Sequence, residues 1–276
     1  MKKPILFLSF ALITFFAFAQ TKPVASNPKN VVFKTGKLEL CELVCKMVDA
    51  QVHDSLLTLK LNLVNNTDSF YLFKTNECGV VIGDNRLRVE LGELTINPHD
   101  SVPFSLDFKA AGLYKEKVMS FYAEGFYMVA PTGDVQTPPI FNLPPDYKDF
   151  TSPSFTGIMT KDSRTTDLTE IEFKVTYTGD KVGIISPVKT LLRLTDGLLV
   201  NNMAEQSKAF LLTKGYSQLL KLHWPKTPEM QTDMQGNHLE LLFRDTFIES
   251  MPNRIATQKF LLEVAEPVID TTKSKK

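Results

Sequence analysis

Apolar and polar residues alternate with a period of two over much of this chain. Leu57, Leu59, Leu61 and Leu63 are separated by Thr58, Lys60 and Asn62, the pattern of an antiparallel strand with one buried face and one wet face. Asn65-Asn66-Thr67-Asp68 breaks the run as a turn, and Phe70 to Phe73 resumes it. The same succession returns in Ile171, Phe173, Val175 and Tyr177, interleaved with Glu172, Lys174 and Thr176. Thr178-Gly179-Asp180-Lys181 is its turn, and Val182 to Ile185 its next strand. No helical periodicity is sustained; Asn202 to Leu211 is the one short helical candidate.

The parallel continues. Val80-Val81-Ile82 leads into Gly83-Asp84-Asn85, and Leu191 to Leu194 leads into Thr195-Asp196-Gly197, two strand-then-hairpin signals. Ile96, Ser101, Phe104, Leu106 and Phe108 then fall opposite Leu212, Ser217, Leu220, Leu222 and Trp224 at a constant offset. Further strands end each copy: Val118 to Val129 in the first, Leu239 to Phe247 and Lys259 to Val264 in the second. Elements in one order, offset by about 112 to 116 residues, indicate an internal duplication. The pattern therefore predicts an all-β chain of two tandem antiparallel β-sandwiches, over 30–130 and 159–268. Between them, 131–158 carries Pro131, Pro138, Pro139, Pro144, Pro145 and Pro153 and reads as a semi-rigid linker, part of which would serve equally as a strand-crossing loop of the first sandwich.

The element order, with the Leu-x-x-Gly-x-Ser turn at Leu212 to Ser217 before a strongly alternating strand, resembles bacterial immunoglobulin-like domains of exported proteins. That resemblance implies binding, spacing or scaffolding, and the family has no shared catalytic residues to carry over.

The first residues bear on where the chain works. Lys2 and Lys3 precede an uncharged apolar run, Ile5 to Phe18, and Ala17-Phe18-Ala19 fits the small-x-small cleavage rule. This predicts a signal peptide over 1–19, with Gln20 as the first mature residue. The apolar run is shorter than the roughly 20 residues that span a bilayer, and no second such stretch follows, so no membrane span is expected. No Cys stands at the cut, and the Phe-Ala-Phe-Ala-Gln ending resembles signal peptides of Bacteroidota. A periplasmic, extracellular or cell-surface location is the expectation. The stretch 269–276 reads as a disordered, cationic tail.

Without Lys2 and Lys3 the chain has two fewer basic than acidic residues, which gives no basis for a nucleic-acid partner. In an oxidising compartment Cys41, Cys45 and Cys78 suggest a disulfide. Cys41 and Cys45 would lie about 13 Å apart on a strand, too far to bridge, so the pairing expected is Cys41 or Cys45 with Cys78. Three buried thiols are the competing reading, and a zinc site lacks a fourth ligand.

Catalytic signals are sparse. His53, His99, His223 and His238 lack ligand spacing, and no nucleophile elbow, zinc-protease, P-loop or dinucleotide motif occurs. The turns at Asp84-Asn85 and at Asp233, Asn237 and His238 hold oxygen ligands, with too few carboxylates for calcium. No metal, cofactor or enzyme activity is therefore expected, although a site assembled from distant loops escapes a motif search. Phe121, Tyr122, Phe126 and Tyr127 would form a stacking platform for a glycan if exposed, and plain core if buried. Asp54-Ser55-Leu56, Asp100-Ser101-Val102 and Asp270-Thr271-Thr272 resemble the O-glycosylation acceptor of Bacteroidota, at Ser55, Ser101 and Thr271. Taken together, these features point to a non-catalytic binding or scaffolding protein of the bacterial cell envelope, acting through sheet edges or loops on another envelope protein or a glycan. A glycan-binding accessory module using 121–127 is the alternative.

Overall fold

The computed structural model describes residues 30–90, 92–203, 208–230 and 233–265. The expected signal peptide, the tail and Thr271 lie outside them. The chain is all-β, as the alternation predicts. Its first part runs through β1 (Asn30–Val32), β2 (Gly36–Leu40), β3 (Leu43–His53), β4 (Leu56–Asn65), β5 (Phe70–Lys74), β6 (Gly79–Ile82), β7 (Asn85–Arg88), β8 (Glu93–Ile96), β9 (Ser101–Lys109), β10 (Val118–Ala123) and β11 (Phe126–Val129). The proline-rich stretch forms β12 (Asp134–Val135), β13 (Phe141–Leu143) and β14 (Asp149–Thr151). Then come β15 (Phe155–Thr165), β16 (Leu168–Tyr177), β17 (Val182–Ile185), β18 (Leu191–Arg193), β19 (Leu199–Asn201), β20 (Phe210–Leu212), β21 (Ser217–Pro225), β22 (Leu239–Leu242) and β23 (Phe247–Ser250). β24 (Pro252–Arg254) and β25 (Gln258–Glu263) end the series. The helical candidate at 202–211 ends in strand β20, with 204–207 outside the described residues. No described helix is long and apolar enough to cross a membrane.

Among the described residues these strands form six antiparallel sheets. In the first half, β1-β3-β4-β9 (with β2 also on β3) lies across a core from β8-β5-β11-β24 and β7-β6-β10-β25. In the second, β14-β15-β16-β21 lies across a core from β20-β17-β23-β12 and β19-β18-β22-β13. The sheets of the two halves thus have corresponding strand orders. Even a β-bulge recurs, after Met47 in β3 and after Met159 in β15.

The pairing corrects the expected boundaries. The stretch 131–158 is no linker, because β12 and β13 add to β23 and β22, and β14 adds to β15. β25, expected in the second sandwich, pairs with β10 of the first half, and β24 pairs with β11. Each half is therefore completed by strands that follow the other. The result is one long antiparallel ribbon, β10 to β13 beside β22 to β25, whose register scarcely drifts. Val118 lies opposite Glu263, Val129 opposite Pro252, Asp134 opposite Glu249 and Leu143 opposite Leu239. At the crossing, the Ser250 hydroxyl donates to the Ala130 carbonyl at 3.0 Å. Sequence neighbours usually pair, which is why a hairpin-by-hairpin reading misassigns these strands.

A third, smaller core forms where the halves meet. Phe70, Leu72, Val129, Val182, Ile184 and Leu211 are all buried there. β5 explains how: Tyr71 and Phe73 face the first core, while Phe70 and Leu72 face the junction, so the strand is buried on both sides. The two ends of the described chain also meet, with Phe33 bridged to Val264 and the Lys34 N–H donating to the Glu263 carbonyl at 2.8 Å.

Candidate functional site

Strand edges from both halves face one another across the junction. Among the described residues β8 pairs only with β5, β20 only with β17, and β21 only with β16, so each is an outer strand of its sheet. A hollow of about 170 Å³ lies between Glu93 and Thr95 of the first half and Leu211 and Tyr216 of the second. Gln218 lines it and also lines a second hollow of about 500 Å³, bounded by Asn97, Lys208, Phe210, Leu219 and Lys221. Tyr216 is 60% exposed and Leu219 44%, so apolar surface stands open along the β21 edge. Lys208 and Lys221 are exposed and make no ion pair among the described residues. The groove thus combines backbone edges, apolar side chains and positive charge.

Ion pairs pin the exchanged strands beside the junction. Arg254 of β24 donates to Glu77 at 3.0 Å, and Glu77 also accepts from the Tyr127 hydroxyl at 2.9 Å. Asp134 of β12 accepts from Lys181 at 2.6 Å. Nearby, the Tyr177 hydroxyl donates to Glu249 at 2.7 Å and accepts from the Lys181 N–H at 3.0 Å, while Ser154 donates to the same carboxylate at 3.0 Å. Burial, reinforced by the Glu249 carboxylate, pushes the Tyr177 phenol above its ordinary range. This brace rests on residues far apart in sequence, and no local motif announces it.

The sequence candidates are scattered. Phe121 and Phe126 are buried in the first core, Phe126 stacked on Phe73 at 4.0 Å. Tyr122 and Tyr127 are half-buried, with Arg86 and Lys259 near the Tyr122 ring and Lys74 near that of Tyr127. The four rings do not form an open stacking face, because neighbouring strand residues point to opposite sides of the sheet.

The cysteines are free thiols, and no bridge joins Cys78 to Cys41 or Cys45. Cys41 is exposed on the β2–β3 turn, whereas Cys45 and Cys78 are buried, and desolvation pushes both thiols up to about 12. The Cys78 thiol donates to the Thr75 carbonyl at 2.9 Å. Ser55 is exposed in the β3–β4 turn. Ser101 is exposed at the start of β9, its hydroxyl donating to Asn62 at 2.9 Å.

His99 is paired with Asp68 at 2.8 Å and His223 with Glu170 at 3.4 Å. Asp233 accepts from the Gln235 N–H at 2.9 Å, and its carbonyl accepts from the Asn237 amide at 2.7 Å, so that turn is internally bonded. Among the described residues no group of three or more His, Cys, Asp or Glu is placed to hold a metal.

No protein-family model matches the chain, and none of the curated proteins searched matches it. The groove was missed at the sequence level because β8 and β21 lie more than a hundred residues apart from edge to edge of two halves.

Proposed function

We propose that the chain is a non-catalytic, exported binding or scaffolding protein of the bacterial cell envelope, built from two immunoglobulin-like sandwiches that arose by duplication. The observation that carries this reading is the ribbon of β10–β13 with β22–β25, which joins both halves along shared strands. A body joined in this way holds edges from both halves at a set spacing, which suits strand addition by an extended partner segment. Lys208 and Lys221 favour an acidic segment, and the apolar side chains of Tyr216 and Leu219 favour one with interleaved aliphatic residues. The leader at 1–19 supports export, and the matching strand orders support duplication.

The test is co-purification from envelope fractions with the tagged protein. A stoichiometric partner is expected, and Lys208→Glu with Lys221→Glu should lose it while the fold persists. Recovery of the same partner with the charge-reversed protein removes the groove from the account. Metal- or thiol-dependent turnover abolished by a single substitution overturns the non-catalytic reading.

A further inference from the structure

The two halves treat one equivalent strand edge in opposite ways. In the first half, β1 lies on the end of β3, with Val31 opposite Val52. The Phe33 N–H donates to the Ala50 carbonyl at 2.8 Å, and Val31 and Phe33 add to the first core. In the second half, the corresponding end of β15, Lys161 to Thr165, has β16 on one side and no described strand on the other.

The register shows what stands there instead. The inward rungs Ala50–Leu59–Leu106 and Val52–Leu57–Phe108 of the first half correspond to Asp162–Ile171–Leu222 and Arg164–Thr169–Trp224 of the second. Ala50 and Val52 are fully buried. Asp162 and Arg164 form an ion pair at 3.0 Å, with side chains only 22% and 14% exposed. An apolar end that accepts a strand has thus been replaced by a charged end that lacks one.

We infer that the Asp162–Arg164 pair guards the β15 edge against pairing with a second copy of this chain. Open edges are templates for another strand, and charges pointing toward the core make a new strand bury ionised groups. The stretch would otherwise suit self-pairing. Two copies related by a two-fold axis at Ser163 would set each Asp162 opposite an Arg164, so repulsion plays no part and what opposes pairing is the loss of the remaining hydration of four ionised groups. By the alternation that turns the Ala50 carbonyl toward β1, the N–H and carbonyl groups of Asp162 and Arg164 face outward. This inference is independent of the groove and its partner.

The test transplants the first half's residues. Asp162→Ala with Arg164→Val should give a concentration-dependent dimer in analytical ultracentrifugation, with self-association at least about tenfold tighter than that of the native protein. The uncharged pair Asp162→Asn with Arg164→Gln, close in shape to the native one, should do so more weakly, and circular dichroism melts establish that both variants fold. Asp162→Pro with Arg164→Val should remain monomeric, because proline removes an outward donor while tolerating an edge position. The inference is overturned if both folded uncharged variants stay monomeric at the highest concentration reached. It is equally overturned if the proline variant dimerises as well as the alanine one, or if the native protein already dimerises through Ser163.

Discussion

Two halves with corresponding strand orders fill one interior position in different ways. In the first, Tyr71 lies opposite Met128, and Asn65 ends the preceding strand. In the second, the matching residues are Gly183, Glu249 and Tyr177. A Cβ on Gly183 would stand 2.7 Å from the Tyr177 ring, so the ring supplied by position 71 in one half comes from the neighbouring strand in the other. The polar chemistry changes with it. The Asn65 amide donates to the Ser69 and Asn97 carbonyls and ties down its turn, whereas Tyr177 works through Glu249 and Lys181. Both halves place an aromatic ring at this position and bond the adjoining turn, although different residues do so. This is what packing density and the demand for bonded polar groups require.

The largest effect expected follows from strand exchange. Ending the chain after Ser250 removes β24 and β25, which belong to the first half although they lie at the far end of the sequence. Leu262 and Ile255 leave the first core, and so does the bridge to Phe33. Amide exchange over 30–129 should collapse toward unprotected rates, while 155–250 retains most of its protection. In a simple tandem arrangement the damage would fall on the second half instead. Retained protection of β10 and β11 would therefore break the comparison at its root.

Next in size are the paired anchors Trp224 and Phe108, both fully buried. Each change to alanine should destabilise by about 3–5 kcal/mol in urea unfolding. Trp224→Ala should be the worse by about 1 kcal/mol, because it also strips the Val200 carbonyl of the indole donor at 3.2 Å. Equal losses would mean that the hydrogen bond contributes nothing beyond volume.

Much of this was legible from alternation alone. Leu57 to Leu63 and Ile171 to Tyr177 are strands with their expected faces buried, and Phe108 and Trp224 sit at matching depths because a period of two fixes which residues share a face. Alternation does not say which strand lies alongside which. Lys259 to Val264 looks the same whether it completes its own half or the other, and the six prolines of 131–158 suggest a linker although β12, β13 and β14 form among them. Edges, grooves and guards depend on pairing, so the β8–β21 groove and the Asp162–Arg164 pair were invisible for the same reason.

A smaller contrast separates the two tyrosines. Tyr177→Phe should destabilise by about 1–3 kcal/mol, since it leaves the Lys181 N–H and the Glu249 carboxylate each short of a partner. The Tyr71 hydroxyl is buried without a well-formed hydrogen bond, the Thr67 side chain being the polar group beside it, so Tyr71→Phe should cost little, within about 0.5 kcal/mol. Thermal melts of the two variants make the test, and a costly Tyr71→Phe would show that Tyr71 is itself part of a polar brace.

At pH 9 the smallest effect is a pH dependence carried by the first half, where all three cysteines lie. Burial raises the Cys45 and Cys78 thiols from 9.0 to about 12 in the folded chain. Between those values the unfolded chain releases protons that the folded chain keeps. The stabilisation is therefore complete below pH 9 and is lost as pH climbs toward 12. At pH 9 the loss is only about 0.4 kcal/mol per thiol, growing by about 1.4 kcal/mol for each further unit until the folded thiols titrate. Tyr177 acts in the same direction in the second half but begins only from its ordinary value of 10.0, so the window from pH 8 to 9.5 isolates the thiols. Replacing Cys45 and Cys78 by alanine should flatten stability across that window. Cys41, exposed on its turn, should react with a thiol reagent in the folded protein at every pH in it. Rapid labelling of Cys45 or Cys78 without unfolding would show that the first core opens locally and that the thiols do not report on its global stability.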